Sequence, residues 1–224
     1  MIACTQKKSN SPFIQALFGG TFDPIHYGHL LPIKTLAKQV GLQKVALLPN
    51  YVPPHRKQPE ATVQQRLVML QLAIKNNPLF SIDTREFKRK TPSYTFETLL
   101  SFRQQIGRQK PLAFIIGQDA LLLINTWVDW QKILDLCHLL VCARPGYTTY
   151  FSTSFMQKWL TYHQVDNPNI LIQKPCGAIY LANTPLLNIS ATEIRKRKRN
   201  KKSCIGILPP AVLRYIDRQH LYQR

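Results

Sequence analysis

The stretch Phe13-Ile14-Gln15-Ala16-Leu17-Phe18-Gly19-Gly20-Thr21-Phe22-Asp23-Pro24-Ile25-His26-Tyr27-Gly28-His29-Leu30 decides the fold. Phe13 to Phe18 is a short apolar run, the pattern of a buried strand. Gly19 and Gly20 let the backbone turn and approach a ligand closely. Asp23-Pro24 reads as a turn or helix start, with Asp23 as the cap and proline already set in φ. His26 and His29 are three apart, so on a helical turn they share a face. Gly28 between them leaves room for something flat or bulky against the backbone. A strand, a glycine turn and a helix start with imidazoles suit a phosphate, because the free amides of a helix N-terminus point at an anion. The plainer reading is a strand-turn-helix in which one histidine caps and the other is solvated. A zinc site needs further ligands at metal spacing, and none stands nearby.

Outward from this stretch, apolar runs alternate with helical patterns. Leu30 to Val40 is helical, with Pro32 in its first turn or kinking it and Gly41 stopping it. Val45 to Pro49 is a second buried strand, so the strand-helix-strand unit predicts parallel pairing and a right-handed crossover. A proline-rich loop over 50–59 precedes a helix from Thr62 to Asn76. Further strands are expected at Phe80-Ser81-Ile82, Pro111 to Ile116, His138 to Cys142 and Ala178 to Leu181. Helices are expected at Phe96 to Ile106, Leu121 to Ile124, Trp127 to Leu134, Phe151 to Tyr162, Ser190 to Lys198 and Pro210 to Gln219. The alternation predicts an α/β, Rossmann-like, doubly wound and mainly parallel sheet with helices on both faces. One domain is expected over 13–224, behind a polar extension, 1–12, that reads as disordered. Ligands in such a fold sit beyond the carboxyl ends of the strands.

Bulk properties agree with a globular protein. The chain has 224 residues and 45% hydrophobic content, enough for a sizeable core. No apolar run reaches the roughly 20 residues of a membrane span, and the polar start lacks a signal-peptide core. Five scattered cysteines without Cys-x-x-Cys spacing suit reduced thiols and a cytoplasmic protein. The net charge is +19, and the run Arg195 to Lys202 supplies seven of those positive charges. Such an excess favours polyanions, both nucleoside triphosphates and nucleic acids.

A second motif stands near the other end: Asn188-Ile189-Ser190-Ala191-Thr192-Glu193-Ile194-Arg195. Ser190 and Glu193 have capping-box spacing, so a helix starts here. Capping alone would account for that pair. Thr192 and Arg195 share a face beside the free amides. A cap, a hydroxyl and a guanidinium at one helix end would hold a polyphosphate.

These motifs resemble a known family. His26-Tyr27-Gly28-His29 is similar to the His-x-Gly-His signature of nucleotidyltransferases, and Ile189 to Arg195 to their Ile-Ser-x-Thr-x-x-Arg signature. From about Phe13 onward the chain resembles bacterial nicotinate-mononucleotide adenylyltransferases. The segments that carry this narrower likeness are Pro-Asn-x-Val-Pro-Pro-His-Arg, Pro-Ser-Tyr-Thr, Phe-Ile-Ile-Gly-Gln-Asp, Thr-Trp and Arg-Pro-Gly-Tyr. The resemblance implies adenylyl transfer from ATP to nicotinate mononucleotide, giving nicotinate adenine dinucleotide and pyrophosphate, a step of NAD biosynthesis. It implies His26, His29 and Arg195 as catalytic groups. It places Gly19, Gly20, Thr21, Phe22, Gly117, Asp119, Ser190, Thr192 and Arg195 around ATP. It places His55, Arg56, Tyr94, Thr95, Trp127 and Arg144 around the mononucleotide. Physical sense supports parts of this. A helix start at Thr95 would receive the nicotinate carboxylate, and the Trp127 face would lie against a pyridinium ring, although Trp127 also reads as core. His55 and Arg56 read equally as a solvated loop, and Arg144 is the weaker phosphate candidate. Mg²⁺ is implied with ATP, held by no protein side chain.

Rival readings stay within view. Nicotinamide mononucleotide or phosphopantetheine as acceptor, or a fragment of a class I tRNA synthetase, shares the histidine logic. A basic RNA-binding module is the rival from another class, but the chain lacks an RNA-recognition motif. The basic run after Arg195 departs from the family pattern; a solvated helix face or a nucleic-acid contact explains it. A homo-oligomer stays open.

Overall fold

Strands covered on both faces must be apolar on both, and these are. The computed structural model describes residues 13–51, 58–89 and 93–223. Among them, β1 (Gln15–Gly20), β2 (Val45–Pro49), β3 (Phe80–Ile82), β4 (Leu112–Gly117), β5 (His138–Cys142) and β6 (Ile179–Ala182) form one sheet in the order β3-β2-β1-β4-β5-β6. Every pairing is parallel, with Ala16 opposite Val45 and Gln15 opposite Leu112.

Successive residues split cleanly between two cores. Ala16, Phe18, Val45, Leu47, Ala113 and Ile115 face one side, where α1 (Tyr27–Val40), α2 (Val63–Ile74) and α9 (Pro210–Arg218) contribute Ile33, Leu36, Met69, Leu70, Val212 and Ile216. Leu17, Leu48, Phe114 and Ile116 face the other. There α3 (Thr95–Ile106), α4 (Gln118–Leu122), α5 (Ile133–Leu136) and α6 (Ser154–His163) contribute Leu99, Phe102, Leu121, Ile133 and Leu160. The expected doubly wound sheet is present. Its strand order reverses between β1 and β4, so the crevice between their following loops is where this architecture receives a ligand. The described residues include no helix long and apolar enough to cross a membrane.

Local expectations hold with four corrections. Asp23 does not cap α1; His26 occupies that position, with Asp23-Pro24 in the preceding turn. Pro32 sits at the sixth helical residue rather than in the first turn. Trp127 to Leu134 is not one helix: 3₁₀ turns at Ile124–Thr126 and Trp130–Lys132 precede the short α5. A short helix, α7 (Ile170–Gln173), gave no periodic signal because it is a single turn. The last of the sequence's helix starts is as read: α8 (Ala191–Arg199) begins after Ser190, whose Oγ accepts from the Glu193 amide at 3.2 Å. Only half of the capping box forms, since the Glu193 carboxylate pairs with Arg197 four residues on.

Candidate active site

The histidine corner is built on the end of β1. Gly19 and Gly20 are not needed for an unusual φ. They are needed for space: a Cβ on Gly19 would lie 3.0 Å from the Phe114 ring, and one on Gly20 would lie 3.0 Å from Phe22. The turn itself is made at Phe22, whose φ is +50°. The Phe22 side chain is buried, 5.3 Å edge-on from the His29 ring, so it supports an imidazole from beneath. His26 and His29 stack at 3.7 Å between centroids, 22° from parallel. His29 Nδ1 accepts from the His26 backbone amide at 3.3 Å, which puts the proton of a neutral ring on Nε2, facing away from the cap. His26 is 2% exposed, and its Nδ1 has no partner. Burial, aided by the nearby Arg144 guanidinium, pulls its pKa from 6.5 to about 3. His26 is therefore a neutral imidazole, not the cationic group a phosphate site first suggests.

The two motif corners meet. Arg195 Nη1 donates to the Asp23 carbonyl at 2.7 Å, and Nε pairs with Glu60 at 2.9 Å. Arg195 Nη2 reaches toward Thr192 Oγ1 at 3.5 Å. On the other side of the contact, a Cβ on Gly28 would stand 2.8 Å from the Ile189 carbonyl and 3.0 Å from the His26 ring. Gly28 is thus the residue that lets α1 close against the start of the second motif. Ser190 and Thr192 remain exposed at the mouth.

The remaining wall comes from β4 and β5. Gly117 has no room for a Cβ, which would fall 2.3 Å from Asp119 Oδ1 and 3.0 Å from Arg144 Nε. Asp119 and Arg144 form a half-exposed ion pair at 3.6 Å. Gln118 Oε1 accepts from the Arg144 amide at 3.2 Å, fixing the β5 loop to the end of β4. Trp127 stands edge-on to Phe114 at 6.4 Å, half-buried, so it is neither pure core nor free surface. Tyr94 caps α3 and Thr95 opens it; both are half-buried. Ser93 Oγ accepts from the Tyr51 amide at 3.4 Å, which holds that helix start beside the β2 loop. His55 and Arg56 lie outside the described residues, as do 1–12.

Three supporting roles leave no clear mark in the sequence. Arg66 on α2 is 1% exposed and donates to three carbonyls of the site loops: Thr21 at 2.9 Å, Asn50 at 2.7 Å and Tyr51 at 3.2 Å. Asp23, only 4% exposed, accepts from the Glu60 and Ala61 amides at 2.8 and 3.1 Å. Tyr222, near the C-terminus, donates to the same carboxylate at 2.6 Å, and burial together with that carboxylate raises its phenol pKa. Nothing in helical periodicity separates Arg66 from a solvated arginine. An arginine inside the Leu67-Leu70-Ile74 pattern was the available signal.

Among the described residues no group of three or more His, Cys, Asp or Glu stands together as a metal site. A family model described as cytidylyltransferase-like matches residues 17–197. A relative from Yersinia pestis (strain Pestoides F), named "Probable nicotinate-nucleotide adenylyltransferase", is 60% identical over 96% of this chain and 98% of its own length. The chain belongs to the nicotinate-nucleotide adenylyltransferase family. A Pectobacterium atrosepticum member is 55% identical over 95% of this chain and 100% of its own. The fold of the family is shared more widely. Plasmodium falciparum nicotinic acid mononucleotide adenylyltransferase complexed with NaAD superposes with a TM-score of 0.69 at 17% identity, covering 94% of this chain and 97% of that one. The same enzyme complexed with APC gives 0.68 at 18% identity, with the same coverage of both chains.

Proposed function

We propose that this chain transfers the adenylyl group of ATP to nicotinate mononucleotide, forming nicotinate adenine dinucleotide and pyrophosphate in NAD biosynthesis. The observation that carries the reading is the junction of Arg195 with Asp23, which brings the histidine corner and the Ile-Ser-Ala-Thr-Glu-Ile-Arg corner to one crevice. A phosphate oxygen of the mononucleotide bonds to the α-phosphorus of ATP. The bond from that phosphorus to the bridging oxygen breaks, and pyrophosphate leaves with the electron pair. The nucleophile is already an anion, so no base and no covalent intermediate are needed. Positioning and charge stabilisation do the work.

Within that reading, the amides after Gly19 and Gly20 and the imidazoles of His26 and His29 meet the α-phosphate. Ser190, Thr192 and Arg195 hold the β- and γ-phosphates, with Arg195 exchanging part of its Glu60 pairing for phosphate oxygens. Thr21 and Phe22 shape the loop that carries them. Gly117 and Asp119 receive the ribose. Trp127 covers the pyridinium ring, a contact worth roughly 0.5–2 kcal/mol. The amides at Tyr94 and Thr95 receive the nicotinate carboxylate, favoured over the neutral amide by the helix dipole. His55, Arg56 and Arg144 complete the mononucleotide phosphate site. Mg²⁺ would accompany the triphosphate and supply neutralisation of phosphate charge. The unbridged Cys137, Cys142, Cys176 and Cys204 go with a reducing, cytoplasmic setting.

Pyrophosphate release with ATP tests the assignment when the acceptor is varied among nicotinate mononucleotide, nicotinamide mononucleotide and phosphopantetheine. The first is expected to turn over fastest. Equal or faster release with either of the others would overturn the acceptor assignment. His29→Ala is expected to lose turnover while keeping its melting temperature; normal turnover would remove the role given to that imidazole.

A further inference from the structure

The basic run after Arg195 is not absorbed by the active site. Half of it is internally paired: Arg197 with Glu193, Lys198 with Asp217, and Arg199 with Glu60. Among the described residues, Lys201 and Lys202 have no such partner, and both are exposed. They stand at the opposite end of α8 from the proposed triphosphate corner, about 13 Å along a nine-residue helix. The chain ends that helix in a Schellman turn: the Lys202 amide donates to the Arg197 carbonyl at 2.8 Å, and the Lys201 amide to the Lys198 carbonyl at 3.1 Å. The left-handed position of such a turn is normally glycine or asparagine. Here it is Lys201, with φ of +54°. Compensating the helix dipole accounts for cations in the last turn, but not for two more beyond it, one at a position that disfavours a side chain.

These lysines edge a groove of about 600 Å³ between the end of α8 and α9. Among the described residues, Lys198 and Arg199 add two more cations along it, each already paired: Lys198 with the one lining carboxylate, Asp217, and Arg199 with Glu60. Its apolar surface is Leu213 and the exposed Ile205. The volume is in the range of small-molecule sites. The groove is lined by none of the residues assigned to the two substrates.

We infer that this groove is a second anion site, distinct from the catalytic crevice, for a small oligophosphate-bearing ligand of the nucleotide class. Lys201 and Lys202 receive the phosphates, and Ile205 and Leu213 offer the surface for a ring. Its charge comes from side chains alone, because the helix end behind them carries the unfavourable sign. The site is therefore sensitive to ionic strength.

Equilibrium dialysis of the whole chain with a non-hydrolysable ATP analogue at low salt tests this. Wild type is expected to take up two equivalents, and Lys201→Glu/Lys202→Glu one, with unchanged kcat and KM at low ATP. The milder Lys201→Ala/Lys202→Ala, checked for an unchanged melting temperature, is expected to lose most of the second equivalent too. Competition distinguishes the sources. Displacement of the second equivalent by inorganic triphosphate marks an oligophosphate site, and resistance to triphosphate marks a nucleoside phosphate site. A single equivalent in wild type, a second equivalent that survives both variants, or displacement by adenosine alone would overturn the inference.

Discussion

Arg195 and Asp23, 172 residues apart in sequence, are joined by a 2.7 Å bond from the guanidinium Nη1 to the backbone carbonyl. The same Nη1 also stands 3.9 Å from the Asp23 carboxylate, whose hydrogen bonds come from the Glu60 and Ala61 amides and the Tyr222 hydroxyl. One residue thus hydrogen-bonds two segments of chain with its side chain and a third with its backbone. Arg195 in turn spans Asp23, Glu60 and Thr192 with three nitrogens in a planar fork. Lysine cannot reproduce that fork. Arg195→Lys is expected to lower kcat/KM for ATP by about 10–150-fold, the equivalent of one lost charge-assisted hydrogen bond of roughly 1.5–3 kcal/mol. Steady-state kinetics at fixed mononucleotide would check it, and an Arg195→Lys enzyme of wild-type efficiency would show that charge alone suffices.

His26 makes a pH-dependent contribution to stability. Its pKa falls from 6.5 to about 3 on folding because the ring is buried and faces Arg144. Between those values the unfolded chain holds more protons than the folded one, so stability rises with pH there and is lost as pH falls from about 6.5 toward 3. His138 acts in the same direction. Its Nδ1 accepts from the Ala178 amide at 3.1 Å and its Nε2 donates to the Lys174 carbonyl at 2.9 Å, a neutral tautomer that protonation would break. Urea unfolding of wild type and His26→Gln between pH 6.5 and 5 would separate the terms. The wild-type free energy is expected to fall more steeply, by up to about 1.4 kcal/mol per pH unit. Parallel slopes would mean that His26 titrates normally in the folded state.

Strand positions were legible because each strand is a short apolar run bounded by glycine, proline or charge. β2, β3 and β5 match their expected limits, and the others shift by one or two residues. The site motifs were legible because glycines and histidines at fixed spacing have few other uses. What sequence spacing did not reveal is how each residue serves. The sequence suggests ligand clearance at Gly19, Gly20 and Gly28, and the resemblance sets Gly117 beside ATP, yet each of the four is small because a neighbouring ring, carbonyl or carboxylate occupies the space of its missing Cβ. Asp23 was read as a local cap. Its partners are 37, 38 and 199 residues away, and such pairings leave no local pattern. The motif marks His26 as a site residue but does not show its charge; burial, a property of the fold, lowers its pKa.

Arg66 shows what that missing information costs a sequence reading. It is buried without a carboxylate bonded to it, and burial lowers its pKa. Its guanidinium instead ties the Thr21, Asn50 and Tyr51 carbonyls, so it fixes the loops after β1 and β2 relative to each other. Arg66→Met keeps the apolar stem and removes the donors. The expected loss is about 3 kcal/mol, with a melting temperature lower by roughly 6–12 °C. Calorimetry is the check, and a fall of less than about 2 °C would mean that water replaces the arginine without penalty.

Gly28 offers the sharpest test of how the corners meet. An alanine there would put its Cβ 2.8 Å from the Ile189 carbonyl, and a backbone atom cannot swing aside as a flexible side chain can. It would also press on the His26 ring at 3.0 Å, and through that ring on its stacked partner His29. Relief requires either α1 or the Ile189 segment to move by several tenths of an ångström. Both routes part the imidazoles from Arg195. Gly28→Ala is expected to cost about 1–3 kcal/mol of stability through overpacking. It is also expected to lower kcat more than the fraction of unfolded protein explains, because the geometry of charge stabilisation is displaced. Measuring kcat well below the melting temperature of the variant separates the two effects. A fully folded Gly28→Ala enzyme with wild-type kcat would show that the corners tolerate separation, and that the close packing of Gly28 on Ile189 serves the fold alone.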